Sequence, residues 1–293
     1  LLEALGAEVE NYSNEKIILD TSKVNNSEAP YDLVSTMQAS CMVLGPLLAR
    51  LGKARVSLPG GCAIGARPID LHLKALELMG AKVKLQQGYV EATCTRLKGC
   101  DIVFDVVTVT GTANIMMAAA LAKGKTVLKN AAREPEIIDL ADLLTKMGAK
   151  IKGAGTAVVE IEGVDKLHGA QHRVIPDRIE ASTFMIAAAM THGNVLVEGV
   201  IPDHLEPVSQ KLLEAGAKIE TNGNKIRIIG PKKINPVDIK TAPYPGFATD
   251  CQAQFVSMMA IAEGTAAITE TIFENRFMHI PELERMGADL KIQ

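Results

Sequence analysis

One phrase recurs along the chain and restricts its possible folds more than any single motif. It reads LLEALGAEVE at 1–10, ALELMGAKVK at 75–84, LLTKMGAKIK at 143–152, LLEAGAKIE at 212–220 and ELERMGADLKI at 282–292. Its glycines, Gly6, Gly80, Gly148, Gly216 and Gly287, lie 74, 68, 68 and 71 residues apart. A second phrase keeps the same period: LLARLGKARVSL, AALAKGKTVLKN, AAMTHGNVLVEG and MAIAEGTAAITE, centred on Gly52, Gly124, Gly193 and Gly264. Apolar residues three and four apart give a helix with one apolar stripe, and a glycine after it can take the left-handed conformation that ends a helix. The AxV or AxI that follows alternates as a strand. Each unit therefore reads helix, strand, helix, strand, strand, with hairpin partners at 89–93 and 157–161. A period this long suits repeated α/β subdomains rather than a short solenoid. The chain is expected to hold the tail of one unit and four nearly complete ones. The Gly, His and Pro punctuation at 164–177 marks a crossing between two domains, 1–176 and 177–293.

Composition narrows the functional classes. With 47% hydrophobic residues, 22% charged and a formal net charge of -3, the chain offers no field to hold a polyanion, so nucleic acid is not an expected partner. The most apolar run, 115–122, is far shorter than the roughly 20 residues of a membrane helix, so no membrane association is expected. Five cysteines without CxxC spacing fit a reduced, cytoplasmic compartment.

Three segments could carry chemistry. LPGGCAIGARPID at 58–70 holds three glycines and two prolines, so it is a loop leaving the strand 55–58. Its Cys62 lies near Arg67, whose guanidinium would favour a thiolate; a small buried apolar cysteine is the other reading. The segment 245–254, PGFATDCQAQ, places Asp250 at the end of a loop before an Ala/Met helix. Such an aspartate can equally be a helix N-cap. In 273–279, FENRFMH, polar side chains alternate with large apolar ones, which reads as a surface connection with ion pairing. Acids in 133–136 and at 177–180 stand at helix starts, where capping is expected. His168 and His172 have no third ligand at useful spacing, and a solvated loop is expected there rather than a metal site.

Taken in order, LPGGCAIGARPIDLHL, VTVTGTANIMMAA, NAAREPEI, PDRIEASTF, FATDCQAQF and TETIFENRFMHIPEL resemble the UDP-N-acetylglucosamine enolpyruvyl transferases over essentially the whole chain. The resemblance implies a two-domain inside-out α/β barrel of six βαβαββ units, with the active site between the domains. It implies transfer of enolpyruvate from phosphoenolpyruvate to the 3-hydroxyl of UDP-N-acetylglucosamine, the first committed step of peptidoglycan synthesis, without metal or organic cofactor. By the same resemblance Cys62 is the general acid toward the enolpyruvyl carbon, forms a covalent adduct with phosphoenolpyruvate and is the target of fosfomycin. Asp250 takes the sugar hydroxyl proton. Arg67 faces phosphate or carboxylate, where a planar, permanently charged fork is favoured. Arg67, Pro68, Ile69, Asp70 and Leu71 hold the uridine, Val106, Val107, Thr108 and Val109 the diphosphate, and Ile272 the sugar nucleotide. Arg276 adds positive charge near phosphoenolpyruvate. Relatives of the shikimate type share the six-unit architecture and lack the cysteine loop.

One departure stands inside the chain. Where the family usually has arginine after methionine, this sequence reads Met37-Gln38-Ala39-Ser40, so Gln38 removes a charge near the anionic substrate, and either phosphoenolpyruvate is held more weakly or another basic residue compensates. The unit count and the phrases at both ends lead to the expectation that the family's first half-unit and sixth unit lie outside residues 1–293, and that these residues alone do not turn over substrate.

Overall fold

The computed structural model describes residues 1–10, 16–34, 37–58 and 69–292. Their contacts divide them into two compact units, which part along the chain between Arg173 and Val174. Cys62, Arg67 and Pro68 lie outside the described residues.

The first unit opens with the antiparallel pair β1 (Glu8–Glu10) and β2 (Ile18–Asp20). Two copies of one motif follow. The first runs β3 (Glu28–Ala29), α1 (Tyr31–Val34), a 3-10 turn at Gln38–Val43, α2 (Leu44–Leu51), β4 (Lys53–Ser57), α3 (Asp70–Leu78), β5 (Lys82–Gln86) and β6 (Tyr89–Thr93). The second runs β7 (Asp101–Val103), α4 (Val109–Ala119), β8 (Lys125–Lys129), α5 (Pro135–Lys146), β9 (Lys150–Lys152) and β10 (Val158–Glu162). The sheets have orders β3-β4-β6-β5 and β7-β8-β10-β9, with the first pair parallel and the rest antiparallel. Two stretches of different sequence thus share one topology.

Alternation sets the register. In β10, Val159 and Ile161 are buried while Val158 and Glu162 face solvent. The helix α4 is buried on most of its circumference, as its nearly continuous apolar sequence requires, and α2, α3 and α5 all pack against it. Its own Ile115 and Met116 and, around it, Leu48, Leu76, Leu128 and Ile161 are fully buried.

The second unit contains α6 (Arg178–Met190), β11 (Asn194–Glu198), α7 (Glu206–Glu214), β12 (Lys218–Asn222) and β13 (Lys225–Ile229). Its sheet order β11-β13-β12 repeats the last three strands of the earlier motifs. Then come β14 (Ile239–Lys240), a 3-10 turn at Thr249–Cys251, α8 (Gln252–Met259), β15 (Ile268–Thr269), parallel to β14, and α9 (Ile280–Arg285). Met185, Ile186, Leu212, Ile228, Phe255 and Met258 fill its core.

The recurrent Gly-Ala is a helix-ending device. After α3 the Gly80 amide donates to the Glu77 carbonyl and the Ala81 amide to that of Leu76; Gly148 and Ala149, Gly216 and Ala217, and Gly287 and Ala288 repeat both bonds. All four glycines have φ between 92° and 100°. This is the Schellman arrangement, in which the alanine packs back on the last turn, and Ala81, Ala149 and Ala217 are buried.

Several expectations need correction. The first phrase makes the same cap at Gly6, on a single turn. No strand follows Gly287 among the described residues. The motif opens on a short parallel strand (β3, β7, β14), as the βαβαββ order implied by the resemblance has it; the periodicity alone, which began each unit at a helix, did not show it because two or three residues have no period. At the third copy of the second phrase the left-handed residue is His192, at φ 55°, and not Gly193. His172 is not solvated: its Nε2 lies 2.9 Å from Asp139 Oδ1, and its Nδ1 lies 3.0 Å from Lys146 Nζ. No group of residues suited to a metal occurs among the described residues, and none of the described helices is long and apolar enough to cross a membrane.

Candidate functional site

In the first unit the residues expected to hold the nucleotide stand at two helix starts. Ile69 precedes α3, and Asp70 and Leu71 form its first turn. Val106 and Val107 lead into α4, Thr108 caps it by accepting the Gly111 amide at 3.1 Å, and Val109 is its first residue. Val106 and Val109 are exposed. Backbone N–H groups at such starts are unpaired donors with positive partial charge, suited to an anionic group.

A buried polar hub, not singled out from the sequence, joins these starts. Asn114 is fully buried on α4; its Oδ1 accepts the Gly45 amide of α2 at 2.8 Å, and its Nδ2 donates to the Cys41 carbonyl at 3.3 Å. Those bonds fix the orientation of the amide, so the second Nδ2 proton points to His72 Nδ1, at 2.9 Å. His72 Nδ1 must then carry the lone pair and Nε2 the proton, which goes to Thr110 Oγ1 at 3.3 Å. Burial pushes the His72 pKa down to about 4, consistent with this neutral tautomer. A Cβ on Gly45 would stand 2.4 Å from Asn114 Oδ1, so only glycine lets α2 approach this closely. Gln38 begins the 3-10 turn whose Cys41 carbonyl the hub holds. The signal available in the sequence was a polar pair, His72 and Asn114, each inside an apolar helix.

In the second unit Asp250 sits in the 3-10 turn before α8 and makes no capping bond. Its Oδ1 instead accepts from Arg276 Nη2 at 2.6 Å. Asp250 is about half exposed and the Arg276 side chain 17% exposed, so the carboxylate stays open to solvent on the back of a largely covered guanidinium. The Phe273 ring, 5.3 Å from the guanidinium carbon, covers part of that cation. His279 lies nearby with its pKa held below the usual value, by burial first and by the Arg276 charge second. Ile272, partly exposed, is four residues before Arg276 in the same loop. The expected surface connection is thus a pinned segment, and the pinning residue is Glu270, which bonds both Thr249 and the Ile272 amide. Sequence reasoning passed over it because an acid after a short strand has no distinguishing pattern. A half-exposed carboxylate beside a fixed guanidinium can accept a proton from a hydroxyl while the cation holds an anion.

Among the described residues the cysteines are Cys41, Cys94, Cys100 and Cys251, and none is in a disulfide. Burial raises the thiol pKa of Cys94 and Cys100, and that of Cys251 to about 11.

Comparison with known proteins extends this description. A family model described as EPSP synthase (3-phosphoshikimate 1-carboxyvinyltransferase) matches residues 1–293. The chain is 59% identical over 290 residues to the UDP-N-acetylglucosamine 1-carboxyvinyltransferase of Geotalea uraniireducens, covering 99% of this chain and 69% of the relative. It is 57% identical over 294 residues to the protein of the same name from Trichlorobacter lovleyi, covering 100% and 70%. Among solved structures, the enolpyruvyl transferase NikO from Streptomyces tendae superposes with a TM-score of 0.86 at 26% identity, over 100% of this chain and 70% of that one. An EPSP synthase from Acinetobacter baumannii shares the fold, with a TM-score of 0.70 at 22% identity, over 99% and 70%.

Proposed function

The chain belongs to the enolpyruvyl transferase family, and from that premise we propose that it transfers the enolpyruvyl group of phosphoenolpyruvate to the 3-hydroxyl of UDP-N-acetylglucosamine. Four relatives 56–59% identical over nearly the whole chain are named for carboxyvinyl transfer to this nucleotide sugar. The cysteine loop at 58–70 favours that acceptor over the 3-phosphoshikimate in the family model's description. The product is the first committed intermediate of peptidoglycan, made in the cytoplasm, and Cys62 is the residue fosfomycin would capture.

The chemistry is addition followed by elimination. As the sugar hydroxyl oxygen bonds to C2 of phosphoenolpyruvate, its proton passes to Asp250 while Cys62 supplies a proton to the methylene carbon. Loss of a proton from that carbon then restores the double bond and expels phosphate. An acid at the vinyl carbon and a base at the hydroxyl are what these steps need. Arg67 and Arg276 hold the anionic groups. The helix starts at Ile69, Asp70 and Leu71, and at Val106, Val107, Thr108 and Val109, receive the nucleotide, and Ile272 borders the sugar. Gln38 takes the place of a cation, so either phosphoenolpyruvate is held more weakly or another basic residue compensates.

The observation that carries this reading is the Asp250–Arg276 contact, which puts a proton acceptor and an anion holder 2.6 Å apart. The test sets residues 1–293 in place of the matching 69% of the G. uraniireducens relative, a full-length frame for both substrates. Asp250→Asn should lower kcat by roughly 100-fold or more, the scale of losing a positioned base, with binding of UDP-N-acetylglucosamine little changed. An unchanged kcat would remove Asp250 from the role.

A further inference from the structure

The site of the second unit is held by a carboxylate that the transfer chemistry does not use. Glu270 follows β15, and its Oε1 accepts the Ile272 amide at 2.7 Å, the Phe273 amide at 3.2 Å and the Thr241 hydroxyl at 2.9 Å. Its Oε2 accepts the Thr249 hydroxyl at 2.9 Å. Thr241, fully buried just after β14, is itself fixed, since its hydroxyl receives the Thr271 amide at 2.9 Å and its carbonyl the Thr271 hydroxyl at 2.7 Å. Three separate segments converge on one side chain: the end of β14, the turn that carries Asp250, and the loop that carries Ile272 and Arg276. The Asp250–Arg276 contact closes the ring, because Thr249 adjoins Asp250 and Phe273 lies three residues before Arg276.

We propose that Glu270 is a positioning residue for Asp250: it clamps the 249–251 turn to the 271–276 loop and so sets where the Asp250 carboxylate stands relative to Arg276. This rests on the role given to Asp250 above. Hydrogen bonds to an ionised acceptor are stronger than neutral ones, and four converging on one carboxylate resist rotation of either segment. Without the clamp, Asp250 keeps its identity and its exposure but loses its place. Displacement by about 1 Å costs on the order of a hundredfold in rate. Glutamine preserves most of the clamp, since its Oε1 still accepts both amides and its Nε2 can donate to a Thr249 hydroxyl that turns to accept.

The experiment compares Glu270→Ala, Glu270→Gln, Asp250→Asn and the Glu270→Ala/Asp250→Asn pair in the full-length frame, alongside amide exchange in the 293-residue chain. Glu270→Ala should lower kcat about 100-fold with a smaller rise in KM, since the clamped loop also carries Ile272 and Arg276, and Glu270→Gln should stay within tenfold of the parent. The double variant should be no slower than Asp250→Asn, because a residue that acts only through Asp250 has nothing left to act on. Additive losses, or a loss carried by KM, would overturn the proposal. If the parent shows no transfer, the reading of the activity fails and amide exchange decides the clamp. Glu270→Ala must then speed exchange at Ile272, Phe273 and Cys251 while leaving β12 and β13 unchanged, and an unchanged Cys251 would overturn it.

Discussion

Burying a histidine that cannot take up a proton ties stability to pH, and His72 is such a residue. Its pKa is about 4 in the folded chain against an ordinary 6.5. Between those values the unfolded chain binds more protons, so stability is complete above about pH 6.5, falls as pH drops toward 4 and is level below that. From pH 7 to pH 5 the loss amounts to about 2 kcal/mol, at 1.36 kcal/mol per pH step. Exchange of the α4 amides, corrected for intrinsic rates, should therefore show that loss in the parent and a much smaller one in His72→Gln; equal losses would contradict the buried neutral histidine. At this scale the sequence exposed residues with an unusual local setting, such as Asp250 after its Gly/Pro loop. It could not expose Glu270, and of Asn114 it showed only a polar residue within an apolar stretch, not its partners. Their importance lies in partners remote along the chain, 21 to 29 residues away for the Thr249 and Thr241 bonds of Glu270 and 69 to 73 for the Gly45 and Cys41 bonds of Asn114.

Elements were legible where a local rule sets them. The Gly-Ala phrase could be read because a Schellman cap needs glycine at one position and a small apolar residue at the next, both visible in sequence. The opening strands β3, β7 and β14 could not be read from periodicity and entered only through the βαβαββ order of the resemblance, since they exist through pairing with a later strand. The second phrase gives a sharper test of what its glycine does. Gly124 has φ 91° and open space around its missing Cβ, whereas Gly193 lies outside the left-handed region and a Cβ there would meet its nearest atom at 3.4 Å. Gly124→Ala should therefore destabilise by about 1–2 kcal/mol through backbone strain alone, and Gly193→Ala by less than about 0.5 kcal/mol. Thermal or urea unfolding of the two variants measures the difference. Equal costs would show that the phrase constrains these positions through something other than φ.

For the whole molecule, the repeat period led to an α/β architecture of duplicated motifs, and the two four-stranded sheets of common order realise it. What the period could not supply is chemistry, because one fold serves several acceptors. The family model is described by 3-phosphoshikimate and the curated relatives are named for UDP-N-acetylglucosamine. In the proposed reading, choice between them depends on the 58–70 loop, of which residues 59–68 lie outside the described residues, and on the helix starts of α3 and α4. The most direct measurement is phosphate release from phosphoenolpyruvate by residues 1–293 set in the full-length frame, with each acceptor offered separately. Release is expected with UDP-N-acetylglucosamine, abolished to background by Cys62→Ala, and none above background with 3-phosphoshikimate. Release with 3-phosphoshikimate, or release with the nucleotide sugar that survives loss of Cys62, would contradict it.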